Sequence, residues 1–192
     1  LGGRESVKAA GEIIDRLLAP GGVAIVDPAM ADNGKLYSGF DEDYVRAIGS
    51  LAGKADIILP NVTEAAILSG LPYQENIDRN YVNQLLNGLN HPCAVLTGVD
   101  FDEYSTGIVL QEGTVQHEYR HKRIGTGCHG TGDIFAAVFT GALMQGKNRL
   151  DAAKIAADFT CRCIENTVNA PAHWYGVKFE PLLPELMEMP GR

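Results

Sequence analysis

Three short apolar runs, each stopped by turn-forming or polar residues, restrict the fold more than any other feature. Val23-Ala24-Ile25-Val26 ends at Asp27-Pro28, Asp56-Ile57-Ile58-Leu59 at Pro60-Asn61, and Ala94-Val95-Leu96 at Thr97-Gly98. Runs without polar alternation read as strands buried on both faces, which is the habit of parallel sheets. Helical patterns lie between and around them. Val7, Ile13, Ile14, Leu17 and Leu18 mark a helix over Ser6–Leu18, stopped by Pro20-Gly21-Gly22. Further helices are predicted over Asp41–Leu51, Thr63–Leu68 and Ile77–Leu89, and Asp32-Asn33-Gly34-Lys35 reads as a polar loop. Such alternation predicts an α/β chain with helices covering a mostly parallel sheet. Beyond it, Tyr104–Leu110 and Thr114–Arg120 flank Glu112-Gly113 as an antiparallel hairpin. An apolar helix then runs from Asp133 to about Met144, and another covers Leu150–Val168. No Pro-, Ser- or charge-rich linker divides the 192 residues, so one domain, 1–192, is expected.

Charge and cysteine usage narrow the function. Lys plus Arg number 16 against 24 Asp plus Glu, a net charge of −8 that repels a phosphate backbone and argues against nucleic-acid partners. No apolar run approaches the ~20 residues of a membrane helix, so no membrane partner is expected. Leu1-Gly2-Gly3-Arg4-Glu5 is not a secretory signal. Cys93, Cys128, Cys161 and Cys163 form no C-x-x-C pair. Free thiols in a reducing compartment, hence a cytoplasmic location, follow as the economical reading.

The most informative stretch for chemistry is Gly125-Thr126-Gly127-Cys128-His129-Gly130-Thr131-Gly132-Asp133. Its formal G-x-G-x-x-G follows His117–Arg123, which cannot be a buried parallel strand, so a dinucleotide fingerprint is rejected. No G-x-x-x-x-G-K-[ST] occurs either. Gly130-Thr131-Gly132 instead sits directly before a helix, whose first amides lack intrahelical partners and whose dipole attracts an anion. Asp133 beside that anion could take the proton of a hydroxyl attacking a phosphoryl group. The bland alternative is a carboxylate that only caps the helix.

Two other strand ends carry polar groups. Asp27 and Asp32 could hold a hydrated divalent cation, or could be ordinary turn residues. In Pro60-Asn61-x-x-Glu64, Asn61 and Glu64 occupy capping-box positions. The functional alternative turns Glu64 toward a Mg²⁺–phosphate complex. With Thr97-Gly98, these ends are expected to converge on one crevice at the carboxyl edge of the sheet.

Together these motifs resemble the ribokinase-like superfamily, and within it the pyridoxal/pyridoxamine (vitamin B6) kinases. Asp27-Pro28-Ala29-Met30-Ala31-Asp32-Asn33-Gly34-Lys35-Leu36-Tyr37 is similar to the family's "DPVMGDNGKLY" segment. Pro60-Asn61-Val62-Thr63-Glu64 matches P-N-x-x-E, Thr97-Gly98 the T-[SG] step, and Gly130-Thr131-Gly132-Asp133 the G-T-G-D signature. Tyr175–Glu180 resembles the C-terminal segment. The resemblance implies a three-layer sandwich with helices on both faces of the sheet. It also implies ATP-dependent phosphorylation of the 5′-hydroxymethyl group of pyridoxal, pyridoxamine or pyridoxine.

Carried over by position, it makes Asp133 the base and gives Gly130, Thr131 and Gly132 the transferring phosphate. Asp32 and Glu64 would serve Mg²⁺. Asn61, Thr97, Gly98 and Asp27 would lie on the nucleotide side, and Tyr37 beside the substrate. Leu59 stands where some members have a Thr of a monovalent-cation site, so that ligand is missing here. Hydroxymethylpyrimidine kinases, the nearest alternative, typically carry Cys where this chain has Asp133. A non-catalytic module binding nucleotide or vitamer is the alternative of another class. Relative to the family, the N-terminal portion with its first strands and lid is absent, and full-length members are expected to be homodimers.

Overall fold

The computed structural model describes residues 1–125, 128–168, 170 and 175–187. Thr126 and Gly127 of the glycine cluster lie outside the described residues. In chain order the elements are α1 (Arg4–Leu17), β1 (Ile25–Val26), β2 (Ala31–Asp32), β3 (Lys35–Leu36), α2 (Glu42–Ala52) and β4 (Ile57–Ile58). There follow α3 (Val62–Ser69), α4 (Arg79–Leu89), β5 (Cys93–Asp100), β6 (Ser105–Glu112), β7 (Val115–Lys122), α5 (Thr131–Met144) and α6 (Arg149–Val168). A 3-10 turn over Glu180–Leu182 leads into α7 (Leu183–Met187).

The three apolar runs become neighbouring strands of one five-stranded sheet, in the order β1-β4-β5-β6-β7. β1 pairs in parallel with β4 (Ile25 opposite Ile57), and β4 with β5 (Ile58 opposite Ala94). The connections between β5, β6 and β7 are too short for a crossover, so these strands run antiparallel. The fold is therefore α/β with a mostly parallel sheet, as the alternation predicts. β1 and β4 are shorter than their apolar runs because the flanking residues bond irregularly. The Ala24 amide donates to the Asp56 carboxylate (2.7 Å), and the Ala24 carbonyl accepts from both Asp56 and Ile57.

One expectation needs correction. Asp32–Lys35 is not simply a loop but the turn of a separate antiparallel hairpin, β2–β3, pairing Asp32 with Lys35. Asn33 (φ 50°) and Gly34 (φ 74°) are both left-handed, the geometry of a two-residue type I′ turn, for which Asn-Gly is the preferred sequence.

Backbone contacts divide the chain into two units, Leu1–Phe101 with Ile108–Glu118, and Asp102–Gly107 with Tyr119–Arg192. In the first, one apolar core joins the strands to the helices: Val26, Ile58 and Leu96 pack with Ile48 and Leu51 of α2 and with Tyr81 and Leu85 of α4. α1 contributes Val7, which is fully buried, and packs on α2. In the second unit α5 packs on α6, burying Phe135 and Phe139 on one helix and Ala152, Ala153, Ala156 and Ala157 on the other.

Polar ties attach β7 to α6 in this second unit. The Tyr119 hydroxyl donates to Asp158 (2.7 Å), and Cys161 Sγ lies 2.8 Å from His121 Nδ1. Burial, reinforced by Asp158 and Glu165, pushes the Cys161 thiol up to about 12, so it stays protonated beside the imidazole. Cys93, Cys161 and Cys163 are buried, whereas Cys128 is only partly so, and none is in a disulfide. Among the described residues no helix is long and apolar enough to cross a membrane.

Gly107 tests the hairpin. A Cβ there would lie 2.0 Å from the Tyr119 carbonyl oxygen, so any side chain must push the strands apart. Gly107→Ala is expected to destabilise by about 1–3 kcal/mol. Gly141→Ala, inside α5 with open space at its Cβ, should instead stabilise slightly. Chemical denaturation of both variants checks the pair, and equal midpoints would refute the close approach.

Candidate active site

The carboxyl ends of β1, β4 and β5 come together in the first unit through backbone and side-chain bonds. Asn61 and Thr97 form a parallel bridge, and the Thr97 amide donates to the Pro60 carbonyl (2.9 Å). Asn61 caps α3, its Oδ1 accepting from the Glu64 amide at 2.9 Å, while Glu64 Oε2 accepts from the Asn61 amide at 2.9 Å. This reciprocal capping box is the structural alternative named for these two residues.

The motif also reaches much further along the chain. Glu64 Oε1 accepts from the amides of Met30 (2.9 Å) and Ala31 (3.4 Å), and Asn61 Nδ2 donates to the Ala31 carbonyl (2.8 Å). Thr63 Oγ1 accepts from the Gly34 amide at 3.0 Å. The N-terminus of α3 thus holds the segment after β1, including the β2–β3 hairpin. Asp32 is exposed and accepts from the amide and side chain of Asn33 (2.8 and 3.0 Å). Asp27 is half-buried at the end of β1 and accepts from the Ala29 amide at 3.3 Å. Tyr37 is 46% exposed. Gly98, with φ 65°, has the left-handed conformation that favours glycine.

Glu64 is 2% exposed. Burial raises its pKa to about 7; the amides of Asn61, Met30 and Ala31 oppose the rise, and the charge of Asp27 adds to it. A carboxyl whose folded pKa exceeds its unfolded value stabilises the fold fully below the unfolded value, near 4.5, and loses that contribution as pH rises through about 7. Relative to Glu64→Gln, the parent should therefore lose on the order of 3 kcal/mol from acid to mildly alkaline pH. Urea midpoints of both proteins across that range provide the check. Parallel profiles would mean that another group titrates.

The second unit carries the glycine-rich start of α5. α2, α3 and α4 begin with side chains that accept from the N3 amide: Asp41 from Tyr44, Asn61 from Glu64, Asp78 from Tyr81. α5 begins with Gly130, left-handed at φ 85°, and has no side-chain cap. The Gly130 carbonyl starts the helix by accepting from Ile134 (3.1 Å), and among the described residues no hydrogen bond engages the Thr131, Gly132 and Asp133 amides. Thr131 Oγ1 donates to the Cys128 carbonyl (3.4 Å), and the His129 carbonyl accepts from Val177 (3.0 Å), bracing the loop. Asp133 is exposed in the first turn, and no hydrogen bond among the described residues engages its carboxylate. Gly130, not Asp133, occupies the N-cap position of α5, and Asp133 lies within the first turn.

The donor set suits a cation that keeps its water. Among the described residues no cluster of three His, Cys, Asp or Glu forms a metal cage. Mg²⁺ typically takes one or two carboxylates together with water and substrate phosphates, and the exposed Asp32 is a carboxylate of that kind. Glu64, by contrast, has both oxygens turned to backbone amides. Sequence reasoning weighed Glu64 as ligand or cap, and missed its long-range bonds and the role of Thr63.

Comparison with known proteins adds independent findings. The sequence profile of the family described as phosphomethylpyrimidine kinase matches residues 1–177. The hydroxymethylpyrimidine/phosphomethylpyrimidine kinase of Bacillus subtilis is 29% identical over 147 residues, covering 75% of this chain and 54% of that protein. This chain thus spans about half the length of the curated relatives it matches. A Bacteroides thetaiotaomicron protein, provisionally assigned as a phosphomethylpyrimidine kinase and crystallised with pyridoxal, superposes with a TM-score of 0.90 at 28% identity, covering 100% of this chain and 71% of that one. Pyridoxal kinase from Lactobacillus plantarum is 30% identical with a TM-score of 0.84, covering 97% and 68%.

Proposed function

The chain belongs to the phosphomethylpyrimidine kinase family, and from that footing we propose that it transfers the terminal phosphoryl group of ATP to the hydroxymethyl group of a small nitrogen-heteroaromatic alcohol. The observation that carries this reading is the open first turn of α5 with Asp133 beside it. In this reading the amides of Thr131, Gly132 and Asp133 and the Thr131 hydroxyl receive the oxygens of the transferring group, while left-handed Gly130 bends the chain to expose them. The acceptor oxygen bonds to the terminal phosphorus as the bond to the ADP oxygen breaks. Asp133 takes the hydroxyl proton. A carboxylate is a weak base toward a free alcohol, but in a loose transition state the proton leaves late, as the new bond forms.

The same reading assigns the nucleotide and metal groups residue by residue. Asn61, Thr97, Gly98 and Asp27 serve the nucleotide phosphates, and Asp32 faces hydrated Mg²⁺, with Glu64 acting on the ion through the segment it holds. When bound, the ion neutralises phosphate charge. Tyr37 is assigned to the acceptor ring.

Two acceptors have specific support. Asp133, where hydroxymethylpyrimidine kinases typically carry Cys, and the Asp32–Tyr37 segment favour a vitamin B6 vitamer, as does the neighbour crystallised with pyridoxal. The names of the curated relatives favour hydroxymethylpyrimidine. ADP release measured with pyridoxal, pyridoxamine, pyridoxine and hydroxymethylpyrimidine decides between them by kcat/KM. ADP binding without turnover on any acceptor would support a nucleotide-binding module instead.

A further inference from the structure

The bonds around Gly34 point to residues that act on the site without touching a reactant. We propose that Thr63 and Tyr73 are positioning residues that clamp the Asn33-Gly34 turn from two sides and so fix the direction in which Asp32 is presented. This inference rests on the assignment of Asp32 to the cation–nucleotide complex made above.

Thr63 is the first side of the clamp. It is 3% exposed, sits in the first turn of α3, and its Oγ1 accepts from the Gly34 amide at 3.0 Å. A threonine inside a helix start needs no such distant partner, since Asn61 already caps α3. Tyr73, in the connection between α3 and α4, is the second side. A Cβ on Gly34 would stand 2.7 Å from Tyr73 Cδ1 and 3.0 Å from Cε1, so the ring lies directly against the glycine backbone.

The hairpin cannot hold this geometry alone. β2 and β3 contribute two residues each, too few to be stable in isolation. Its turn demands left-handed backbone at Asn33 and Gly34. Holding Gly34 from both sides therefore fixes the turn, and with it the adjacent Asp32–Lys35 pair. An outer group that orients a metal-facing carboxylate typically changes metal affinity by about 10–100-fold when removed.

The experiment titrates ADP into the chain with and without Mg²⁺, and follows amide hydrogen exchange over residues 30–37. In the parent, Mg²⁺ should strengthen ADP binding. Thr63→Val, which keeps shape but removes the acceptor, should reduce that Mg²⁺-dependent gain about tenfold while metal-free ADP binding is unchanged. Thr63→Ser should restore the gain, and exchange at Gly34 should quicken in the valine variant but not in the serine variant. Tyr73→Ala should act like Thr63→Val, and Tyr73→Phe like the parent; this second pair decides the matter if the valine variant does not fold. An unchanged Mg²⁺ gain in Thr63→Val and Tyr73→Ala overturns the inference while leaving the kinase reading intact. A parent with no Mg²⁺ gain overturns the metal assignment itself, and the inference with it.

Discussion

Asp133→Asn is expected to lower turnover by about 10²–10⁴-fold, the usual contribution of a positioned general base. The substitution keeps the size of the side chain and leaves the amides of Thr131 and Gly132 in place, so ADP affinity should change little. Stability should change little as well, because Asp133 is exposed and makes no hydrogen bond among the described residues. At most the loss of a negative charge near the helix N-terminus costs about 0.3–1 kcal/mol. The combination separates the two readings of this residue. A capping role predicts lost stability with turnover retained, and near-normal kcat in the asparagine variant would remove Asp133 from the chemistry.

The largest expected effect on stability belongs to Glu64→Ala. The change strips an acceptor from three amides at once, those of Met30, Ala31 and Asn61, in a site where Glu64 itself is almost wholly buried. Each buried donor left without a partner costs about 1–3 kcal/mol, so a total of about 3 kcal/mol or more is expected. Asn61→Ala, which removes an ordinary cap, should cost nearer 1 kcal/mol. Because Glu64 carries its proton most firmly in acid, the penalty of Glu64→Ala should be larger below pH 5 than near pH 8, as denaturation at about these pH values will show. A loss no greater than that of Asn61→Ala would mean that the amides find other partners.

What the sequence revealed of this fold was whatever depends on neighbours along the chain. The apolar runs at Val23–Val26, Asp56–Leu59 and Ala94–Leu96 located three strands in their order, and Glu112-Gly113 located the hairpin, because burial on both faces and a tight turn leave local marks. The capping box at Asn61 and Glu64 was legible for the same reason. The β2–β3 hairpin was not found, since two-residue strands show no alternation; its only signal was Asn33-Gly34, a turn pair lacking flanking apolar runs. The bonds from Glu64 to Met30 and from Thr63 to Gly34 span 34 and 29 positions. Nothing in composition or period encodes a contact at that separation. The 3-10 turn at Glu180–Leu182 and α7 were also unread, being too short for a helical period to emerge.

The distribution of the four thiols gives the native chain a chemical address. Three of them are buried, and the Cys161 thiol, in contact with His121, is in addition held protonated by its burial. Alkylation requires thiolate and access, so a maleimide fluorophore would find Cys128 first, two residues before the glycine that opens α5. One reporter group could thus be seated beside the glycine-rich start of α5 without removing any cysteine, and its emission would register changes in the surroundings of that helix start.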